Sequence, residues 1–349
     1  MEHVPSLIFI FAFSALTFLI AFLLTPAFTA FLYRNKLGKQ IRETAVDGKE
    51  AVLFRQLHIK KTGTPTMGGI LVWGVVALVT FGSYFLNEFT DLEISIWNRG
   101  QTYLPLFTLV ATGILGAIDD YFNIRGIGKE KGLGFRPKLF WLTLFASLGA
   151  WWFYSKLGYD SIHLPGIGDF LVGWWYIPIF IFIIISSANA VNITDGLDGL
   201  AGGLLVIAFG SFAIIAYVKG LILLATFCAM TGGALTAFLW FNIPPARFIM
   251  GDTGALSLGA TLGVVAMLLN SVIVLPLIGF VFVIETLSCI VQLLSKKYLG
   301  RKVFHIAPIH HHFEHLGWPE YKVTMRFWIV GGVMAILGLI IGLIGMGVS

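Results

Sequence analysis

Charge is what this 349-residue chain has least of: Asp, Glu, Lys and Arg make up 12% of it, against roughly 25% in an ordinary soluble domain. With 57% apolar and 15% aromatic residues and a mean hydropathy of +0.88, its helices must be apolar all round, which requires hydrocarbon outside as well as protein inside. A water-soluble globule is excluded. Disorder is excluded too, because large side chains abound. Cysteine is almost absent, and Cys228 and Cys289 lie inside apolar runs; no disulfide framework or thiolate zinc site follows, and both read as packing residues. Also missing are the Gly-x-x-x-x-Gly-Lys-Ser/Thr loop of P-loop ATPases and a Gly-x-Gly-x-x-Gly turn after a strand. A net charge of +5 would point to nucleic acid in a soluble chain; here its distribution matters more, and no nucleic-acid partner is expected.

What is present is apolar length. A bilayer core takes about 20 apolar residues per helix, and ten stretches qualify or nearly so: Pro5–Tyr33, Met67–Leu86, Tyr103–Ile118, Leu139–Tyr154, Trp174–Ala190, Leu200–Val218, Leu221–Phe241, Gly254–Leu269, Val272–Leu294 and Phe327–Met346. The sixth and seventh are parted by Lys219-Gly220 alone. Met1-Glu-His-Val-Pro lacks the basic flank of a signal peptide, so the first stretch is expected to be retained. Of the 23 Lys and Arg, 20 fall in segments 34–66, 122–138, 242–252 and 295–326, whereas the alternate connections hold Arg99, Lys156 and Lys219. The positive-inside rule makes the basic side cytoplasmic. The expectation is an all-α polytopic membrane protein, residues 1–349 forming one domain, with about ten transmembrane helices, both termini periplasmic and the active site at the cytoplasmic face.

Acids in the outer connections (Glu2, Glu88, Asp91, Glu93, Asp160, Asp169) are scattered and read as solvated. On the cytoplasmic side they gather at expected helix ends: Asp119-Asp120 closing the third span, Asp195 and Asp198 opening the sixth, Asp252 before the eighth. In Asn189-Ala-Val-Asn-Ile-Thr-Asp-Gly-Leu-Asp-Gly-Leu-Ala-Gly-Gly203, Asn192, Asp195 and Asp198 recur every third residue, and a helix would align them on one face. A cap needs one such residue; three, with Thr194, favour a functional site. Gly196 and its fellow glycines admit backbone or ligand closely. Gly251-Asp252-Thr253-Gly254 is a shorter echo. Asp119 and Asp120 stand about 100° apart if helical, so one faces the site while the other holds a lysine or a helix end. Carboxylates at the negative end of a helix need a cation, and Lys61 and Lys138 border helices on that side. Arg34, Lys36, Lys39 and Lys49 read as headgroup contacts.

Ala307-Pro-Ile-His-His-His-Phe-Glu314 has neither His-Glu-x-x-His spacing nor a cysteine partner, and adjacent loop residues rarely share a metal. His310, His311 and His312 therefore read as hydrogen-bond donors around an anion, with zinc the lesser alternative; His305 and His315 read as surface residues. Glu285, within the ninth span, is functional by default. Gln292 lies two turns along, and both interhelical bonding and ligand contact stay open. Oxygen ligands select Mg²⁺ or Mn²⁺. Aspartates, lysines and histidines at one membrane face describe an enzyme joining a lipid phosphate to a soluble phosphorylated donor.

The motifs KKTGTPTMGG with Lys61, Asp119-Asp120-Tyr121, Lys138, NITDGLDGLAGG, GDTG, Gln292 and APIHHHFEHLGWPE followed by Arg326-Phe-Trp resemble those of the phospho-N-acetylmuramoyl-pentapeptide transferase family, within the polyprenyl-phosphate N-acetylhexosamine-1-phosphate transferase superfamily. The resemblance spans essentially the whole chain. It implies transfer of phospho-MurNAc-pentapeptide from UDP-MurNAc-pentapeptide to undecaprenyl phosphate in a bacterial inner membrane, with lipid I and UMP as products, and it leaves a homodimer open. On this basis Asp252 would bind Mg²⁺ with Asp195 or Asn192, Asp119 or Asp120 would orient or deprotonate the lipid phosphate, and Lys61 and Lys138 would hold phosphoryl oxygens. His310, His311 and His312 would meet the donor's diphosphate or leaving UMP; Asn192, Asp195, Gly196, Asp198, Gln292 and Thr66 would bind substrate. A sibling using UDP-GlcNAc shares the aspartates. A transporter would need polar residues near the midplane, whereas here they crowd one face.

Overall fold

The computed structural model describes residues 3–38, 63–90, 94–128 and 132–345. Lys61 lies outside the described residues. The helices, in chain order, are α1 (His3–Arg34), α2 (Gly69–Phe89), α3 (Tyr103–Arg125), α4 (Phe135–Lys156), α5 (Tyr176–Thr194), α6 (Leu200–Val218), α7 (Ile222–Asn242), α8 (Gly251–Leu268), α9 (Leu275–Ile278), α10 (Phe280–Leu299), α11 (Ile309–His315) and α12 (Glu320–Ile344). Hydrocarbon leaves backbone groups no water to bond, so apolar runs close their bonds within each helix. Hydroxyls do likewise: Thr80, Thr112, Thr231 and Thr261 each donate to the carbonyl four residues earlier.

Each of the ten expected stretches contains helix among the described residues, and Lys219-Gly220 separates α6 from α7. Eight of the described helices are long and apolar enough to cross a membrane. The other two long ones, α4 and α10, carry Arg136, Lys138 and Lys156, and Glu285, Gln292, Lys296 and Lys297, respectively. The ninth stretch is not one rod: it breaks at Gly279 into α9 and α10. Nor does the third end at Ile118, because α3 runs on to Arg125 and stops at Gly126, whose φ is 65°; Asp119 and Asp120 thus sit inside a helix. An all-α reading also leaves out a small antiparallel hairpin between α4 and α5, β1 (Ser161–Leu164) with β2 (Gly168–Leu171), in which Ile162 faces Phe170.

The spindle of the molecule is α8, in which every residue except Asp252 is buried. Its small side chains let three helices approach at backbone distance. A Cβ on Gly69 of α2 would lie 2.2 Å from the Gly254 Cα, one on Gly116 of α3 2.3 Å from the Asp252 carbonyl oxygen, and one on Gly259 2.6 Å from the Ser187 carbonyl oxygen of α5. Close packing of this kind, with no water to expel between helices, is what holds apolar helices together in lipid. It delivers the polar ends of α3 and α5 to the first turn of α8.

Candidate active site

The first amides of α8 have no partners within the helix, and an acid is the natural acceptor there. Asp120 of α3 supplies it. Its Oδ2 accepts from the Thr253 amide at 3.0 Å and the Thr253 hydroxyl at 2.7 Å, and its Oδ1 from the Asp252 amide at 3.3 Å. Asp119, turned away from its neighbour, accepts from the Leu133 amide at 2.7 Å and from Lys138 Nζ at 2.6 Å. The same ammonium bonds the Asp252 carboxylate, and Asn192 Nδ2 donates to Asp252 Oδ1 at 2.9 Å. One lysine on α4 thus bridges two carboxylates from α3 and α8. The centre is shielded but reachable, with 15% of the Lys138 and Asp252 side chains exposed.

Gly251, at φ +74°, is where the acids close in: a Cβ there would lie 2.4 Å from both Asp120 Oδ2 and Thr66 Oγ1. Its amide donates to Asp195 Oδ2 at 3.2 Å. Thr66 Oγ1 is buried with no hydrogen-bond partner among the described residues.

The expected alignment of Asn192, Asp195 and Asp198 on one helical face does not occur. Helix α5 ends at Thr194, and the chain turns through Gly199 at φ +77°. Asp198 is carried away from the head of α8. Its Oδ2 accepts from the Ala246 amide at 3.0 Å, while its own amide donates to Glu320 Oε1 at 2.6 Å. Next to it the Gly199 amide donates to Asn242 Oδ1 at 2.9 Å and Trp328 Nε1 donates to the Gly199 carbonyl at 3.2 Å. This half of the motif ties the start of α6 to the α7–α8 connection and to α12.

The histidine triplet is not a loop but part of the short helix α11, and 100° per residue divides it. His310 and His311 turn inward. His310 Nδ1 lies 2.9 Å from Glu285 Oε2, and His311 Nδ1 lies 2.7 Å from Glu314 Oε2. The two rings cup Gly196, where a Cβ would meet His310 Nε2 at 2.2 Å and His311 Nε2 at 3.2 Å. The missing side chain at Gly196 thus lets both imidazoles come up to the turn. His312 points the other way, stacked on His305 with centroids 5.3 Å apart, and His305 lies 5.1 Å from His315. Partial burial and these two neighbours push the His312 pKa down. Gln292 clasps the approach to α11, accepting from the Val303 and Phe304 amides at 3.1 and 3.0 Å and donating to the Phe304 carbonyl at 2.9 Å. Among the described residues no group of three His, Cys, Asp or Glu side chains is arranged to hold a metal by itself.

Residues 102–270, which include Asp119, Asp120, Lys138, Asn192, Asp195 and Asp252, match the model of glycosyl transferase family 4. Curated relatives named phospho-N-acetylmuramoyl-pentapeptide-transferase align over nearly the full length. That of Geobacillus sp. (strain WCH70) is 40% identical over 93% of this chain and 95% of its own. That of Oceanobacillus iheyensis is 42% identical over 93% and 95%, and that of Chloroflexus aggregans 39% identical over 95% and 89%. The chain belongs to the phospho-N-acetylmuramoyl-pentapeptide-transferase family.

In this transferase the apolar bundle brings carboxylates, an amide and an ammonium from separate helices to the head of α8. Sequence reasoning placed Glu285 in a membrane helix without its partner; Thr253, Glu314 and Glu320 stood inside the quoted motifs without a role of their own. Intramembrane cost singled out Glu285. Glu314 does have a local signal, since His311 stands three residues before it on the same helix; Thr253 and Glu320 have none, because their partners Asp120 and Asp198 are distant in sequence.

Proposed function

We propose that the protein transfers phospho-MurNAc-pentapeptide from UDP-MurNAc-pentapeptide to undecaprenyl phosphate, releasing UMP and forming lipid I, at the cytoplasmic face of a bacterial inner membrane. The observation that carries the site assignment is Lys138 bridging Asp119 and Asp252 at the first turn of α8. The lysine and arginine distribution supports ten spans with both termini periplasmic and this centre at the cytoplasmic edge.

Both reactants are phosphates, so the leading barrier is repulsion between anions. The second pKa of a phosphate monoester is about 6, so the lipid phosphate is largely ionised at neutral pH and needs little help from a base. Asp120 is committed to the α8 amides, which leaves Asp119, beside the ammonium, to orient the attacking oxygen or take its last proton. Lys138, and Lys61 with it, hold phosphoryl oxygens. Asn192 fixes the rotamer of Asp252 by its hydrogen bond.

Asp252 would hold Mg²⁺ or Mn²⁺, with Asn192 or Asp195 beside it. The donor set suits such an ion: all oxygen, a carboxylate pair already sharing one cation, and too few protein ligands to complete a shell, as is usual for Mg²⁺ finished by substrate phosphates and water. Bound there, the ion supplies positive charge against the phosphoryl oxygens. The donor's diphosphate would lie along the Asp195–Gly196 turn on the side of His310 and His311, and His312, turned away toward His305, takes no part in that contact. Thr66, whose buried Oγ1 has no partner among the described residues, completes the substrate-binding assignment, whereas Asp198 and Gln292 hold the α7–α8 connection and the approach to α11. A homodimer is compatible with the exposed apolar faces of the bundle.

The test is UMP release by detergent-purified protein given undecaprenyl phosphate and either UDP-MurNAc-pentapeptide or UDP-GlcNAc, with and without Mg²⁺. Preference for UDP-GlcNAc would assign the chain to the sibling activity. Wild-type turnover in Asp252→Asn would remove Asp252 from the metal site.

A further inference from the structure

Glu285 of α10 and His310 of α11 form a pair with 0% side-chain exposure on either partner, joined by a single 2.9 Å contact between Oε2 and Nδ1. Their remaining polar atoms, Glu285 Oε1 and His310 Nε2, are buried and have no hydrogen-bond partner among the described residues. Within the described residues, then, the pair is half satisfied, and a half-satisfied buried pair calls for a partner from elsewhere.

Charge decides where the protons sit. A carboxylate beside a neutral imidazole would be a buried anion without compensation, a costly state. Two arrangements have no net charge: carboxylate with imidazolium, and carboxylic acid donating to Nδ1 of a neutral ring. Both leave hydrogen on Nε2. His310 therefore presents an N–H, and it presents it to the Asp195–Gly196 turn, because Nε2 is the atom a Gly196 Cβ would strike at 2.2 Å. That turn leads directly to the head of α8 through the Gly251 amide on Asp195 Oδ2.

We propose that Glu285 is a positioning residue for the transfer: by keeping hydrogen on His310 Nε2 it aims a donor at the Asp195–Gly196 turn, where a diphosphate oxygen of the UDP-linked substrate accepts it. A diphosphate offers acceptors and no donors, so the hydrogen has to come from the protein. The proposal rests on the placement of that diphosphate beside the turn given above. If Glu285 served only to fasten α11 to α10, breaking the pair would lower the melting temperature and leave the KM of the folded protein unchanged.

The experiment uses full-length protein in detergent with Mg²⁺ and measures kcat, the KM of each substrate and the melting temperature for Glu285→Met, Glu285→Leu, Glu285→Gln and His310→Gln. Glutamine can donate its amide hydrogen to Nδ1 and so leaves hydrogen on Nε2, which makes it the rescuing variant. The expected result is a KM for UDP-MurNAc-pentapeptide raised about tenfold in Glu285→Met and Glu285→Leu, the scale of a lost charge-assisted hydrogen bond. In Glu285→Gln it stays within about twofold of wild type, because the hydrogen on Nε2 is kept. The KM for undecaprenyl phosphate holds in all four, and the melting temperature holds in Glu285→Gln but falls in the other three, which each leave a buried polar atom without its partner. An unchanged KM in folded Glu285→Met, alongside a raised one in His310→Gln, would overturn the role of Glu285 alone. An unchanged KM in His310→Gln would overturn the placement of the diphosphate and the proposal with it. Loss of folded protein in both apolar variants would assign Glu285 to structure and overturn the proposal.

Discussion

Asp119 and Asp120 are consecutive, yet they face different partners: Asp119 holds the Lys138 ammonium at 2.6 Å, and Asp120 holds the Thr253 amide and hydroxyl at 3.0 and 2.7 Å. The helical step of 100° per residue makes this division obligatory, and it separates an acid held by the Lys138 ammonium from an acid that fixes the helix carrying Asp252.

The two should therefore fail in different ways. Asp120→Ala strips the acceptor from the head of a buried helix, and loss of such a cap costs about 1–2 kcal/mol, more where the freed amides stay dry. A lower melting temperature is expected, with turnover falling alongside it. Asp119→Asn should melt close to wild type while UMP release drops by at least about a hundredfold, the lower range for a lost general-base or orienting group. Thermal unfolding in detergent and single-substrate kinetics on the same preparations decide the matter; matched losses in both variants would show that the acids are not divided in role.

Lys138 compensates two carboxylates at once. Removing one partner of a buried ion pair costs about 3–5 kcal/mol because the other charge is left bare. Lys138→Met should accordingly be poorly folded and inactive. Adding Asp119→Asn to it removes one of the stranded charges, so the double variant should recover part of the stability and none of the turnover. A double-mutant cycle on melting temperature reads the coupling, and additive losses would mean that the bridge has no energetic weight.

Much of this was visible in the linear chain, for reasons that can be named. Hydrocarbon dictates composition, so all ten apolar stretches stood out, down to the Lys219-Gly220 break. The split between Asp119 and Asp120 follows from helix period alone. What failed was inference across a helix end: Asn192, Asp195 and Asp198 keep a three-residue spacing, but α5 stops at Thr194, and the turn that parts Asp195 from Asp198 is fixed by Asn242, Ala246 and Glu320, all distant in sequence. Three identical histidines likewise carry no pattern to say which faces inward. Glu285 and His310 are 25 residues apart on separate helices, and strands of four residues are too short to register against so apolar a background.

Gly196 makes a sharp test of the histidine packing. Alanine there places a methyl group 2.2 Å from His310 Nε2, and the ring is held on its far side by Glu285, so the rings or the turn must move. Catalysis is sensitive to displacements of about 1 Å, which can cost about a hundredfold, and a fall of at least that size in kcat/KM for UDP-MurNAc-pentapeptide is expected. Gly210 of α6, whose Cβ would meet nothing within 4 Å, is the control: alanine there should leave kinetics alone and hold or raise the melting temperature, because alanine favours the helix by roughly 0.5–1 kcal/mol. Equal behaviour of the two variants would remove any special role for the contact.

His312, turned out toward His305 and His315, should make itself felt through pH. Partial burial and the two nearby imidazoles lower its pKa in the folded protein, so the folded state binds this proton less readily than the unfolded chain does. Stability falls wherever the unfolded state takes up more protons as pH drops. Above about pH 6.5, the ordinary value for histidine, neither state is protonated there and the residue has no effect; as pH falls below that value the unfolded form gains a proton that the folded form resists, and stability declines. In His312→Gln this contribution vanishes. The drop in melting temperature between pH 7.5 and pH 5.5, conditions chosen to straddle that value, should therefore be smaller in the variant than in wild type. An identical drop in both would mean that the three outer rings do not sense one another's charge.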